Sequence, residues 1–185
     1  MIINNQKTIK KEVSLHGVGL HTGESVTLTF KPAPVNNGFT FKRVDLEGQP
    51  VIPADATFVT ETDRGTSLEK NGVVIQTSEH VLAACVGLGL DNVILELNSS
   101  EPPIMDGSSK FFVEALEEAG IEEQHTPRED YIVKDVISYK DEETGSEIIV
   151  MPADEYQVTT MVDFGTKVLG TQNAYLDKMS DFKTE

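Results

Sequence analysis

The sequence predicts an α+β chain: a tandem pair of similar sheet-and-helix sandwich domains, the second cut short within this chain. Three observations carry that prediction. Apolar residues alternate with polar ones in several short stretches, the mark of half-buried strands. Two runs carry helical patterning behind polar start signals. The chain also resembles itself at long range. Thr8-Ile-Lys-Lys-Glu-Val13 is similar to Tyr131-Ile-Val-Lys-Asp-Val136, Ser25-Val-Thr-Leu-Thr-Phe-Lys-Pro-Ala33 to Ser146-Glu-Ile-Ile-Val-Met-Pro-Ala153, and Arg43-Val-Asp-Leu46 to Met161-Val-Asp-Phe164. The matches keep their order, and the offset falls only from 123 residues for the first pair to 118 for the third. That period is too long for a solenoid and points to two domains of one topology, 1–127 and 128–185. The second copy stops soon after its third matching strand, so the chain is expected to hold one domain and the front of its twin.

Taken in order, Val26–Phe30 alternates and reads as a strand that Pro32 and Pro34 end. Gly38 precedes a second alternating strand, Phe39 to Val44, and the polar stretch 55–66 shows little periodicity. Val73–Ile75 is a short strand leading into a helix, with Ser78 as a good N-cap and Val81-Leu-Ala-Ala-Cys-Val86 as its apolar run. Gly87-Leu-Gly-Leu-Asp-Asn92 ends that helix, glycine being free to turn left-handed. Val93–Leu97 is an apolar strand, and Glu101-Pro-Pro-Ile-Met-Asp-Gly107 a tight loop. Ser108 or Ser109 then starts a second helix with Phe111, Phe112, Ala115, Leu116 and Ala119 as its stripe and Gly120 as its stop. Residues 125–130 read as the linker, with His125 in it.

Composition excludes several functions. Net charge is −16, with 11 acids and 8 bases in residues 1–100 but 20 acids and 7 bases beyond, so no basic stripe exists to follow a nucleic-acid backbone. The acidic runs 114–123 and 141–147 read as solvated faces and a turn. No apolar run is long enough to span a bilayer and no signal peptide opens the chain, which predicts a soluble, cytoplasmic protein; a monomer is expected. The single cysteine, Cys85, excludes an internal disulfide and falls in the apolar helical run, where a core position is expected.

The chemistry concentrates at Thr77-Ser-Glu-His80. Glu79 and His80 fall in the first turn of the predicted helix, where the partial positive charge of the N-terminus favours an ionised carboxylate and a neutral imidazole. A neutral imidazole can ligate a metal, and a carboxylate beside it can act as a base on water held there. The pair also fits a surface acid next to a half-buried histidine. His16 and His21 flank Gly17-Val-Gly-Leu20, whose glycines imply a tight turn or a close backbone approach.

Five motifs in order, Gly17-Val-Gly-Leu-His-Thr-Gly23, Phe30-Lys-Pro-Ala-Pro34, Ser78-Glu-His-Val-Leu-Ala-Ala84, Gly87-Leu-Gly-Leu-Asp-Asn92 and Pro103-Ile-Met-Asp-Gly-Ser108, closely resemble the UDP-3-O-acyl-N-acetylglucosamine deacetylase family, zinc amidases of lipid A biosynthesis in Gram-negative bacteria. The resemblance covers essentially the whole chain. It implies hydrolysis of the N-acetyl group of a UDP-linked acylated glucosamine, on two domains of similar topology with the active site between them. It implies Glu79 as general base and His80 as a Zn2+ ligand, the remaining ligands lying in a His-x-x-x-Asp motif beyond residue 185. A catalytic zinc typically takes three protein ligands, so this chain alone is expected to be inactive and to hold zinc weakly.

His21 matches the family's motif and either lines the cleft or fixes the turn by hydrogen bonding. Asp106 matches a family motif and either orients a ligand or a catalytic side chain or makes an ordinary Asp-Gly turn. Thr62 and Arg64 match a loop bordering the family's acyl-chain region, although relatives often carry an apolar residue where Arg64 stands. Asp163 and Phe164 match a stretch near the nucleotide pocket, where Phe164 would stack on uracil or pack within a strand. Two alternatives stay open: a small acidic binding module without chemistry, and the deacetylase part of a fusion with a hydroxyacyl-carrier-protein dehydratase.

Overall fold

Alternation in the sequence becomes a sheet with one dry face and one wet face. The computed structural model describes residues 4–183. It is α+β, and its contacts cluster into two units, Met1–Arg128 and Glu129–Glu185.

The first unit runs β1 (Asn5–Ile9), β2 (Val13–Val18), β3 (Ser25–Pro32), β4 (Phe39–Arg43), β5 (Val51–Pro53), a single 3-10 turn (Ala56–Phe58), β6 (Val59–Glu61), β7 (Ser67–Lys70), β8 (Val73–Ile75), α1 (Glu79–Gly87), β9 (Val93–Leu97), α2 (Lys110–Ala119) and β10 (Ile121–Pro127). Five strands form the main sheet in the order β2-β3-β9-β4-β5. The late strand β9 sits at its centre, antiparallel to β3 and parallel to β4. Val26, Leu28 and Phe30 of β3, Phe41 of β4, Ile52 of β5 and Val93, Leu95 and Leu97 of β9 share one face and are sealed from solvent. Thr27, Thr29, Lys31 and Glu96 alternate onto the other face, where Glu96 pairs with Lys31 at 2.7 Å and Lys42 at 3.2 Å.

Helix α2 packs on the dry face, and α1 packs against α2. Phe112 of α2 meets Phe30 of β3 edge to face, with ring centroids 6.4 Å apart. Phe112, Val113, Ala115, Leu116 and Ala119 are the buried residues of α2. The expected stripe is corrected at Phe111, which stays 37% exposed. The buried row runs 112, 115, 116 and 119, and Phe111 lies a residue ahead of it, at the solvent edge. Helix α1 buries Val81, Ala84 and Cys85, so the cysteine is in the core. It ends as the glycines suggest. Gly89 takes φ +67, its N–H donates to the Val86 carbonyl and that of Leu90 to Cys85, a complete Schellman motif.

Two smaller sheets complete the unit: β6-β7-β8, and β1 paired antiparallel with β10. The second pairing corrects the linker reading, because residues 125–127, including His125, are strand. Exposed Glu122, Glu123 and His125 hide the signal, and β1 supplies the ladder that the side chains do not advertise.

The second unit consists of two antiparallel hairpins, β11 (Ile137–Lys140) with β12 (Glu147–Val150) and β13 (Val158–Asp163) with β14 (Thr171–Leu176), followed by a 3-10 turn (Met179–Asp181). Their residues are nearly all exposed, including Tyr139, Ile148, Met161 and Tyr175. No helix among the described residues is long and apolar enough to cross a membrane.

Candidate functional site

Three loops of the first unit converge at the start of α1. Glu79 and His80 open the helix, and their side chains face each other, Glu79 Oε1 lying 3.5 Å from His80 Nε2. Both are partly open to solvent, 39% and 31% exposed. The backbone N–H of Thr66, in the β6–β7 loop, donates to Glu79 Oε2 at 2.8 Å. One carboxylate oxygen is therefore held by a rigid donor while the other faces the imidazole.

Ser78 occupies the residue before the helix but does not cap it as expected. It is already helical, φ −77 and ψ −20, and makes no side-chain bond into the helix. Its hydroxyl donates instead to the Thr66 carbonyl at 2.9 Å, and its N–H reaches the same carbonyl at 3.2 Å. Thr66 thus clamps the junction from both sides, accepting from Ser78 and donating to Glu79. From the far side, the Ser109 hydroxyl at the head of α2 donates to the His80 carbonyl at 2.9 Å.

Beside this junction lies a cavity of about 250 Å3, lined by His21, Glu61, Asp63, Arg64, Gly65, Ser67, Gln76 and Thr77. Gly65 forms the partition: a Cβ there would come within 3.4 Å of Glu79 Oε1 and 3.5 Å of Thr77 Oγ1. Two lining residues hold left-handed backbone without being glycine, Arg64 at φ 63 and Thr77 at φ 51. For a β-branched residue that conformation costs energy and persists only where the surroundings hold it.

What holds Thr77 is Glu101, a residue the sequence did not single out beyond its loop. Glu101 is sealed from solvent. Its Oε1 accepts from Thr77 Oγ1 at 2.8 Å, and its Oε2 accepts from the N–H groups of His21 and Thr22, each at 3.0 Å, and from Thr22 Oγ1 at 3.2 Å. Burial works to raise the Glu101 pKa, but hydrogen bonds from Thr22, Thr77 and His21 more than offset it and leave it below the usual value. The glycines of the His21 loop make room for this segment. A Cβ on Gly19 would lie 2.6 Å from Glu101 Oε2, and one on Gly17 would lie 2.8 Å from Pro103 Cβ.

The structure sorts the other sequence candidates. His21 is exposed and lines the cavity. His16 sits on β2 with its Nδ1 2.9 Å from Thr27 Oγ1. Arg64 lines the cavity along with Glu61 and Asp63, whereas Thr62 is exposed in the same loop. Asp106 accepts from the Ser108 hydroxyl at 2.7 Å and the Ser108 N–H at 3.0 Å, which lowers its pKa and closes the turn into α2. Asp163 and Phe164 belong to the second unit, at the end of β13. The Gly165 N–H donates to Asp163 Oδ1 at 2.9 Å, and Phe164 is 46% exposed. Among the described residues, no group of three or more His, Cys, Asp or Glu side chains stands where it could hold a metal ion.

Residues 6–185 match a family model described as LpxC, UDP-3-O-acyl N-acetylglycosamine deacetylase. The chain is 47% identical over 180 residues to a protein of Bacteroides thetaiotaomicron named bifunctional enzyme LpxC/FabZ, covering 97% of this chain and 39% of that one. It is 50% identical over 139 residues to the UDP-3-O-acyl-N-acetylglucosamine deacetylase of Xanthomonas oryzae pv. oryzae, covering 75% and 46%. It is 40% identical over 173 residues to the same-named protein of Myxococcus xanthus, covering 94% and 54%. The chain therefore spans between 39% and 54% of the length of these relatives.

Proposed function

The chain belongs to the UDP-3-O-acyl-N-acetylglucosamine deacetylase family, and from that membership we propose that the protein hydrolyses the N-acetyl amide of a UDP-linked, 3-O-acylated glucosamine in the cytoplasm of a Gram-negative cell, toward lipid A. The observation that carries the reading is the Glu79–His80 pair, fixed at the start of α1 with one carboxylate oxygen on the Thr66 amide and the other turned to the imidazole.

In this reading Glu79 removes a proton from the water that attacks the acetyl carbonyl. As the C–N bond breaks, it returns that proton to the leaving amine, releasing acetate. The Thr66 N–H fixes the direction in which the carboxylate works. His80 supplies one nitrogen ligand to zinc, which when bound polarises the carbonyl and lowers the pKa of water. One imidazole does not close a tetrahedral site, so the proposal requires further ligands outside the first unit. The second unit is proposed as the front of a twin domain: its hairpins β11–β12 and β13–β14 repeat the antiparallel pairing of β2–β3 and β4–β5. His21, Thr62 and Arg64 are proposed to border the substrate, and Asp163 and Phe164 the nucleotide.

The test uses the native protein with the UDP-linked substrate. Glu79→Gln should keep its metal and lose about 10²–10⁴-fold in kcat, while His80→Ala should lose metal measured by mass spectrometry. Wild-type turnover in Glu79→Gln, or no acetate released by the unaltered protein, would overturn the proposal. Three relatives at 44–47% identity are named bifunctional, which favours a second reading: the deacetylase as one part of a fusion with a dehydratase. The mass of the native gene product decides that point.

A further inference from the structure

We propose that Glu101 is a positioning residue for the Glu79–His80 site, an anionic rivet that sets the loop carrying His21 and the strand-to-helix junction in one fixed relation. The inference rests on the deacetylase reading.

The argument starts from cost. A carboxylate fully removed from water is expensive unless its charge is answered. Among the described residues, no lysine or arginine forms an ion pair with this one. Its partners are the neutral donors His21 N–H, Thr22 N–H, Thr22 Oγ1 and Thr77 Oγ1. Two consecutive backbone N–H groups aimed at one anion form a small nest, which fixes the local backbone as well as binding the charge. The other half of the grip falls on Thr77, whose left-handed backbone is the bend from which Ser78 and Glu79 leave for the helix. One side chain therefore holds two walls of the cavity, His21 on one and Thr77 on the other.

A neutral residue of the same shape does not substitute. Each of its hydrogen-bond partners acts as a donor, so a glutamine would turn an NH2 group toward at least one of them. The Thr77 bend would lose its restraint, and with it the direction in which α1 begins. The hydrogen bonds of Glu101 go to His21, Thr22 and Thr77 and not to Glu79 or His80, so its effect on chemistry passes through the backbone of residues 77–79. A misplacement of about 1 Å is enough to cost a reaction about a hundredfold.

The experiment compares wild type, Glu101→Gln and Thr77→Val in the native, zinc-loaded protein, and in ¹⁵N spectra of the 185-residue chain. Expected for Glu101→Gln are native circular dichroism, unchanged zinc content, KM within twofold and kcat lowered about ten- to a hundredfold, as for other residues that orient catalytic groups. Thr77→Val should move the same way by less. In the spectra, the amides of Glu79 and His80 should shift along with those of His21 and Thr22. If both variants keep wild-type kcat and lose only melting temperature, the positioning role is overturned. If Glu101→Gln does not fold, Thr77→Val decides by the same criteria. If the wild type releases no acetate, the deacetylase reading has failed, and the spectra decide separately. Shifts reaching Glu79 and His80 support the rivet, and shifts confined to residues 19–22 and 101 overturn it.

Discussion

Gly19→Ala and Gly23→Ala, four residues apart in the β2–β3 loop, should fail to different degrees for different reasons. Gly23 has φ +66 and open space around it, so its alanine meets only the backbone cost of a left-handed residue, about 1–2 kcal/mol. Reduced freedom of the unfolded chain returns about 0.4–1 kcal/mol of that, leaving a net loss near 1 kcal/mol. Gly19 does not have a left-handed backbone; what it lacks is room. Its Cβ would lie 2.6 Å from Glu101 Oε2 and also strike Thr22 Oγ1. Forcing a methyl into a packed site costs about 1–3 kcal/mol, and a displaced hydrogen bond to a charged group about 1.5–3 kcal/mol. After the same unfolded-state gain, Gly19→Ala should lose about 2–5 kcal/mol. At about 3 °C per kcal/mol for a domain of this size, thermal denaturation followed by circular dichroism should show a fall of about 10 °C for Gly19→Ala and about 3 °C for Gly23→Ala. Thr22→Ala added to Gly19→Ala should cost less than the two separately, because one obstructing atom is gone. Equal melting shifts for the two glycines, or strict additivity of the double variant, would refute the steric account of this loop.

Other expectations follow from the same framework. Cys85 is buried in α1 and burial pushes its thiol pKa up to about 12, so a thiol reagent at pH 8 should be consumed only as fast as the first unit opens, and at once in urea. Glu101 and Asp45 have folded pKa values below their ordinary ones, the latter through the Arg43 guanidinium. The unfolded chain therefore binds more protons in acid. Stability should be held above about pH 4 and lost as pH falls through the lowered values. The urea midpoint should drop from pH 5 to pH 3, and Asp45→Asn should flatten that dependence. Isolated two-stranded hairpins are marginal in water, so limited proteolysis should cut residues 129–185 first and leave a fragment close to the first unit, read by mass spectrometry.

What was legible in the sequence follows from what each element buries. Strands β3, β4 and β9 alternate cleanly because one face is apolar core, and both helices are followed by glycines, Gly89 and Gly120, that stop them locally. β1 and β10 were missed because their inward positions are polar. Gln6 and Thr8 are buried yet satisfied: Thr8 donates to the Asn92 carbonyl at 2.7 Å, and Asn92 donates to Gln6 Oε1 and Gln124 Oε1, each at 2.8 Å. Such a network has no period to read. The β7–β8 turn did carry a signal, since Asn71 and Gly72 at φ 53 and 78 suit a type I′ hairpin. Glu79 and His80 were legible because they are neighbours in the chain. Glu101 was not, because its meaning depends on donors from two distant loops, one of them 80 residues away. Ser78 shows the opposite error: a residue of the right type in the right place whose hydroxyl is drawn off by a carbonyl outside the helix.

The central place of β9 has a consequence for how the molecule is made. Synthesis delivers β2 with β3, and β4 with β5, as two local hairpins, but the strand that joins them arrives only after α1. Phe30 and Phe41 must each wait for Leu95, and Arg43 for Leu97. Until then both hairpins offer an open edge with apolar side chains beside it, the condition in which chains pair with the wrong neighbour. Closing the sheet is a non-local event, slow in proportion to the chain it must loop. A pause or truncation before residue 93 should yield aggregate, and one after β10 a foldable unit.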